Sequence, residues 1–127
     1  SLGRVNSKAY YNLGLCRAKL NRPKEALVSM EKYLEVDPDN IDIRRAVGSL
    51  YADLHEYAPA IENFEQILRF NPRDHEALYR HSECYLLMGH RDSAILGYRQ
   101  VLAVAPDFDA ARIRLRELSA VGEEAGK

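Results

Sequence analysis

An all-α fold built as a helical-repeat solenoid is predicted by three observations on the sequence. Prolines recur at a fixed interval of 34 residues, at Pro38, Pro72 and Pro106. Between them apolar residues recur at spacings of three and four, the period of a helix. Columns of small residues, Gly14/Gly48/Ser82 and Ala26/Ala60/Ala94, keep the same 34-residue register. A helix pair of that length cannot bury its own apolar stripe, so successive pairs must stack and share a core.

The elements follow in order. A short N-terminal extension, 1–6, precedes three units at 7–40, 41–74 and 75–108, then a capping helix at 109–121 and a tail at 122–127. Asn6, Asn40 and Asp74 stand just ahead of each first helix, where a side-chain oxygen accepts a free backbone N–H. Phe108 interrupts that column, leaving Asp107 or Asp109 to take over. Asn21, His55 and Gly89 fall between the two helices of each unit, at a turn that asks for a left-handed conformation; His55 is the awkward member. Pro23 and Pro59 fall in first turns of second helices, where proline is tolerated. Pro38, Pro72 and Pro106 end the second helices by lacking an N–H and restricting the residue before them. The small columns let helix backbones approach closely, so Ala60→Leu overpacks that contact by roughly 1–3 kcal/mol.

The partial fourth unit differs in kind. Arg112 and Arg116 place charge on faces that a following helix would cover, and Ser119 stands where Tyr51 and Tyr85 stood. Ile113, Leu115, Leu118 and Val121 remain apolar and can close the third unit. Residues 109–121 therefore read as a solvating cap.

Composition excludes more than it identifies. The 127 residues are 46% hydrophobic and 29% charged, with a net charge of −1. That balance gives no bulk attraction to nucleic acid or anionic lipid. No apolar run approaches the ~18 residues of a membrane span, which speaks against direct membrane insertion. Cys16 and Cys84 share a column two units apart, roughly 20 Å in stacked helices, too far for a disulfide. Two unpaired cysteines are compatible with a cytoplasmic setting, though they leave localisation open. His81 and Cys84 lie three apart on one helix, yet no further ligand follows at metal spacing. No phosphate loop, no nucleophile beside a base and no carboxylate pair tied to a cleft is present, so neither a catalytic residue nor a cofactor is expected.

The matching residues Leu13-Gly14, Ala26 and Pro38; Val47-Gly48, Tyr51, Ala60 and Pro72; and Tyr85, Gly89, Ala94 and Pro106 resemble the tetratricopeptide repeat (TPR) family, over roughly residues 6 to 121. The resemblance implies a right-handed superhelix whose concave face is lined by first helices, and a protein–protein interaction module that binds a segment of a partner there and scaffolds a complex. The candidate peptide-binding residues on that face are Lys8, Tyr11, Asn12 and Leu15; Asp42, Arg45 and Ser49; Glu76, Tyr79, Arg80 and Glu83; and Ile113 and Arg114. One column, Tyr11/Arg45/Tyr79/Ile113, combines aromatic rings with a guanidinium, residue types enriched in binding hot spots.

Some members of the family grip the acidic tail of heat-shock chaperones with a clamp of Lys, Asn and Arg. Here Tyr11, Leu15, Ala46 and Glu76 occupy clamp positions and only Arg80 fits, which argues against a chaperone tail. Asp42, Asp53, Glu76, Glu83 and Glu117 intrude on the same face and argue against nucleic acid. The alternative function is a self-associating scaffold.

Overall fold

The computed structural model describes the backbone of residues 22–125 and the side chains of residues 22–120. The expected site residues Lys8, Tyr11, Asn12 and Leu15, and with them Asn6, Gly14, Cys16 and Asn21, lie outside the described residues. The described residues form six helices and no strand: α1 Pro23–Val36, α2 Ile41–Asp53, α3 Tyr57–Phe70, α4 His75–Leu87, α5 Arg91–Val104 and α6 Asp109–Ala125.

Local chemistry explains most of the helix ends. Pro23 opens α1 at a position where its missing N–H costs nothing. Asn40 caps α2 by accepting from the Ile43 N–H at 3.1 Å, and Asp74 caps α4 by accepting from the Ala77 N–H at 3.0 Å. Phe108, which breaks the cap column, sends its ring inward instead, edge-on to Tyr79 and His75 with centroids 5.1 and 5.4 Å away. The backbone of α6 continues to Ala125, past the end expected at Val121.

The two turns inside hairpins share one geometry. After α2, the Glu56 N–H donates to the Tyr51 carbonyl and the His55 N–H to the Ala52 carbonyl; after α4, His90 donates to Tyr85 and Gly89 to Leu86. This paired pattern needs a left-handed residue in the middle, and φ is +62° at His55 and +84° at Gly89. Gly89 has open space around a would-be Cβ, so Gly89→Ala should cost about 1 kcal/mol through backbone strain alone. His55→Gly should stabilise by up to about 1 kcal/mol, the relief of strain exceeding glycine's entropic cost. Urea denaturation of both variants checks the opposite signs.

The chain divides into two compact units, 1–66 and 67–127, the division falling inside α3. In the first unit Leu27, Met30 and Leu34 of α1 pack with Ile43 and Val47 of α2. Gly48 of α2 lies against Phe64 of α3, so close that a Cβ there would sit 2.9 Å from the ring. In the second unit Leu78, Ala94, Tyr98, Val101 and Ala111 form the core, with Leu115 and Leu118 of α6 packed on it. The alanine column Ala26, Ala60 and Ala94 is fully buried, as are Phe64 and Tyr98. Each large side chain so enclosed contributes roughly 1.5–3 kcal/mol. Among the described side chains of α6 the buried one is Ala111, whereas Ile113, expected to help close the third unit, is 52% exposed.

Candidate functional site

In the first unit, Asp42 is exposed on α2, and Arg45 and Ser49 are half-buried. The second unit holds the remaining candidates on α4 and α6, and here the structure assembles a network.

Glu83 projects from the middle of α4. Its Oε1 accepts from the Tyr98 hydroxyl of α5 at 2.5 Å and from Arg114 Nε of α6 at 2.9 Å. Its Oε2 accepts from a second Arg114 nitrogen at 3.1 Å, making the pair bidentate. The remaining terminal nitrogen of Arg114 donates to Glu117 at 3.1 Å. Tyr79 of α4 packs its ring on Tyr98 and Phe108, with centroids 5.9 and 5.1 Å away. Three helices therefore meet at one carboxylate.

The geometry explains the electrostatics. Tyr98 is fully buried; burial first, and then its hydrogen bond to Glu83, raise its hydroxyl pKa far above the ordinary value. Burial and the Glu83 charge raise that of Tyr79. The bond to Glu83 holds Arg114 even more firmly protonated. Burial pushes the Cys84 thiol up to about 11, so it is an inert core thiol at neutral pH. A raised tyrosine keeps its proton in the folded state after the unfolded chain has lost it. Its contribution to stability is complete below about pH 10 and declines as pH rises toward the folded value. Chemical denaturation at pH 8 and at pH 11 should therefore show an alkaline loss of stability that is smaller in Tyr98→Phe.

Sequence reasoning placed Tyr79, Glu83 and Arg114 on one face, and the structure does bring them together. Their polar atoms, however, face one another. Glu83 and Arg114 occupy each other's hydrogen-bonding capacity, while Glu76, Arg80 and Ile113 are the exposed candidates of the second unit. Tyr98 and Phe108 were missed as partners of that face; both belong to columns read as core or cap. His81 is half-buried and edge-on to Tyr85, with centroids 4.8 Å apart. Among the described residues no group of three or more His, Cys, Asp or Glu side chains is placed to hold a metal, and no helix is long and apolar enough to cross a membrane.

Comparison with known proteins agrees with the repeat period. Residues 7–40 match one family model of the tetratricopeptide repeat and residues 76–107 another. The chain is 24% identical over 107 residues to anaphase-promoting complex subunit 3 of Schizosaccharomyces pombe, covering 82% of this chain and 16% of that protein. It is 37% identical over 68 residues to the CTR9 homolog of Arabidopsis thaliana, covering 54% of this chain and 6% of that protein. The chain thus spans only a small part of these curated relatives. Among solved structures, the first TPR of Spaghetti (RPAP3), bound to the HSP90 peptide SRMEEVD, superposes with a TM-score of 0.82 at 22% identity, over 91% of this chain and 92% of that one. That likeness shows the fold, an all-α helical-repeat solenoid. With its 34-residue period, its buried alanine column and two segments matched to the repeat, the chain belongs to the tetratricopeptide repeat family.

Proposed function

We propose that the chain is a protein-interaction module that takes a segment of a partner protein on the face of its first helices, and so helps scaffold a complex. The observation that carries this reading is the surface of α4 and α6 in the second unit. A carboxylate, two tyrosines and an arginine fix the three helices there, while Arg80, one turn before Glu83, and Ile113, next to Arg114, stand exposed. A rigid frame carrying an exposed cation and an exposed aliphatic side chain binds with little ordering cost. The complementary segment carries an apolar residue and an acidic group.

A fully acidic tail fits less well. Glu76 and Glu117 are exposed on the same two helices, and the Arg114 guanidinium is already committed to Glu83 and Glu117. The family is one of interaction modules, and the absence of a catalytic constellation in the sequence supports a non-enzymatic role for this segment.

The test is a photocrosslinking residue in place of Ile113, with a control in place of Leu96, which is 60% exposed on α5. A discrete adduct at position 113 that disappears with Arg80→Glu, and no adduct at 96, is the expected result. The same adduct from both positions would assign binding to another face.

A further inference from the structure

The first unit contains a cleft of about 380 Å³ framed by α1, α2 and α3. Its floor is apolar, formed by Leu34, Val47 and Pro59, and its rim is acidic, with Glu31 and Glu35 on α1 and Glu62 on α3. The cation in its wall, Arg44, is held by its neighbours: Nε donates to the Pro38 carbonyl at 2.9 Å and a terminal nitrogen to Asn63 Oδ1 at 3.3 Å. The Tyr51 hydroxyl, also in the wall, donates to Glu31. Its pKa is pushed up to about 12, first by that bond, then by burial and by the charges of Glu31, Glu56 and Glu62. The carboxylates thus converge on one volume.

Packing does not demand this acidity. One repeat on, Leu34 recurs as Leu68, Tyr51 as Tyr85 and the rim residue Glu31 as Glu65, while Val47 becomes His81 and Pro59 becomes Ser93. The other two rim carboxylates do not recur: Glu35 becomes Arg69 and Glu62 becomes Leu96. The fold accepts a cation or an aliphatic residue where this cleft has a carboxylate.

We propose that the cleft is a second docking site, for a segment of a partner protein bearing arginine or lysine next to apolar residues. The methylene stem of the cationic side chain lies over Leu34 and Pro59, and its head group sits among Glu31, Glu35 and Glu62. An apolar floor with a charged rim suits that side chain, whose stem is apolar and whose end is ionic. The charge complementarity is what chooses a basic segment over an acidic or neutral one. This site is independent of the surface that carries the reading given above, since its residues belong to the first unit and that surface lies on α4 and α6 of the second.

The experiment titrates the full chain into a fluorescein-labelled peptide alternating arginine and leucine, with a peptide alternating glutamate and leucine as control, followed by fluorescence anisotropy. Wild type is expected to bind the basic peptide saturably, more weakly as salt screens the rim, and to ignore the acidic one. Glu35→Gln with Glu62→Gln should weaken binding at least about tenfold without changing the melting curve. Glu35→Arg, the residue carried one repeat later, should weaken it further, and Asp92→Asn with Asp107→Asn, exposed carboxylates of the second unit, should leave it unchanged. No saturable binding up to about 1 mM, or equal affinity in the Glu35/Glu62 variants, overturns the proposal. So does loss of binding in the Asp92/Asp107 variant, which would move the basic segment to the second unit.

Discussion

Replacing Glu83 with leucine is expected to lower stability by about 2–3 kcal/mol, a large fraction of a typical domain's total. Two groups lose their acceptor at once. The Tyr98 hydroxyl, fully buried, is left without a partner, and Arg114 loses both bonds that tie α6 to α4. A fully buried pair broken on one side costs roughly 3–5 kcal/mol. The effect here is smaller because the Arg114 side chain is 39% exposed and keeps its bond to Glu117. Glu83→Gln, which retains an acceptor but not the charge, should fall between leucine and wild type. Tyr98→Phe should cost only about 1 kcal/mol, since Glu83 keeps its arginine. Urea denaturation gives all three, and a double-mutant cycle of Glu83→Leu with Arg114→Leu isolates the pair. A cost for Glu83→Leu below about 0.5 kcal/mol would mean that water replaces these bonds freely and that the network does not fix α6.

That network marks the boundary of what the sequence made legible. Helix ends were readable because their causes are local: Asn40 and Asp74 act three residues ahead, Pro23 acts on its own turn, and Gly89 satisfies its own φ. Columns were readable because a repeat presents the same environment at each period, and the burial of Ala26, Ala60 and Ala94 reflects it. The pairing of Glu83 with Arg114 crosses 31 residues and two turns, and a column shows only which face each residue shares. Both looked like ligand contacts because charge on a common face is all that spacing reveals. Ile113, read both as a closing residue and as a candidate on the face, is exposed, and Ala111, given no role by the sequence, is buried, for a related reason. They lie two positions apart, and the rotation of α6 that buries one and exposes the other is set by packing on α5. The acidic cleft was invisible because its rim draws on α1 and α3, the second helices of successive units, whereas the expected site residues were all taken from first helices and the cap.

Gly97→Ala is the second large effect, and its origin is steric. A Cβ at position 97 on α5 would lie 1.9 Å from Ser82 Oγ and 2.9 Å from Ser82 Cβ on α4. The hydroxyl could escape by rotating, but it is fully buried and donates to the Leu78 carbonyl at 2.7 Å. The Cβ contact cannot be relieved by rotation at all, so the two helices must move apart. Overpacking of this kind costs roughly 1–3 kcal/mol. Ser82→Ala therefore rescues Gly97→Ala only partly, because it removes Oγ and leaves the 2.9 Å approach. Ser82→Gly should rescue most of it, less the roughly 0.5–1 kcal/mol of a glycine inside a helix. The separation also has a consequence at the surface. The Tyr98 hydroxyl follows Gly97 on α5 and reaches Glu83, which follows Ser82 on α4, so widening that contact lengthens the 2.5 Å bond as well. Gly97→Ala and Tyr98→Phe should then be less than additive, since the first already removes part of what the second deletes. Strict additivity would show that α5 tilts about position 97 while Tyr98 keeps its hold on α4, and that the face carrying Arg80 is set by the hydroxyl rather than by the glycine.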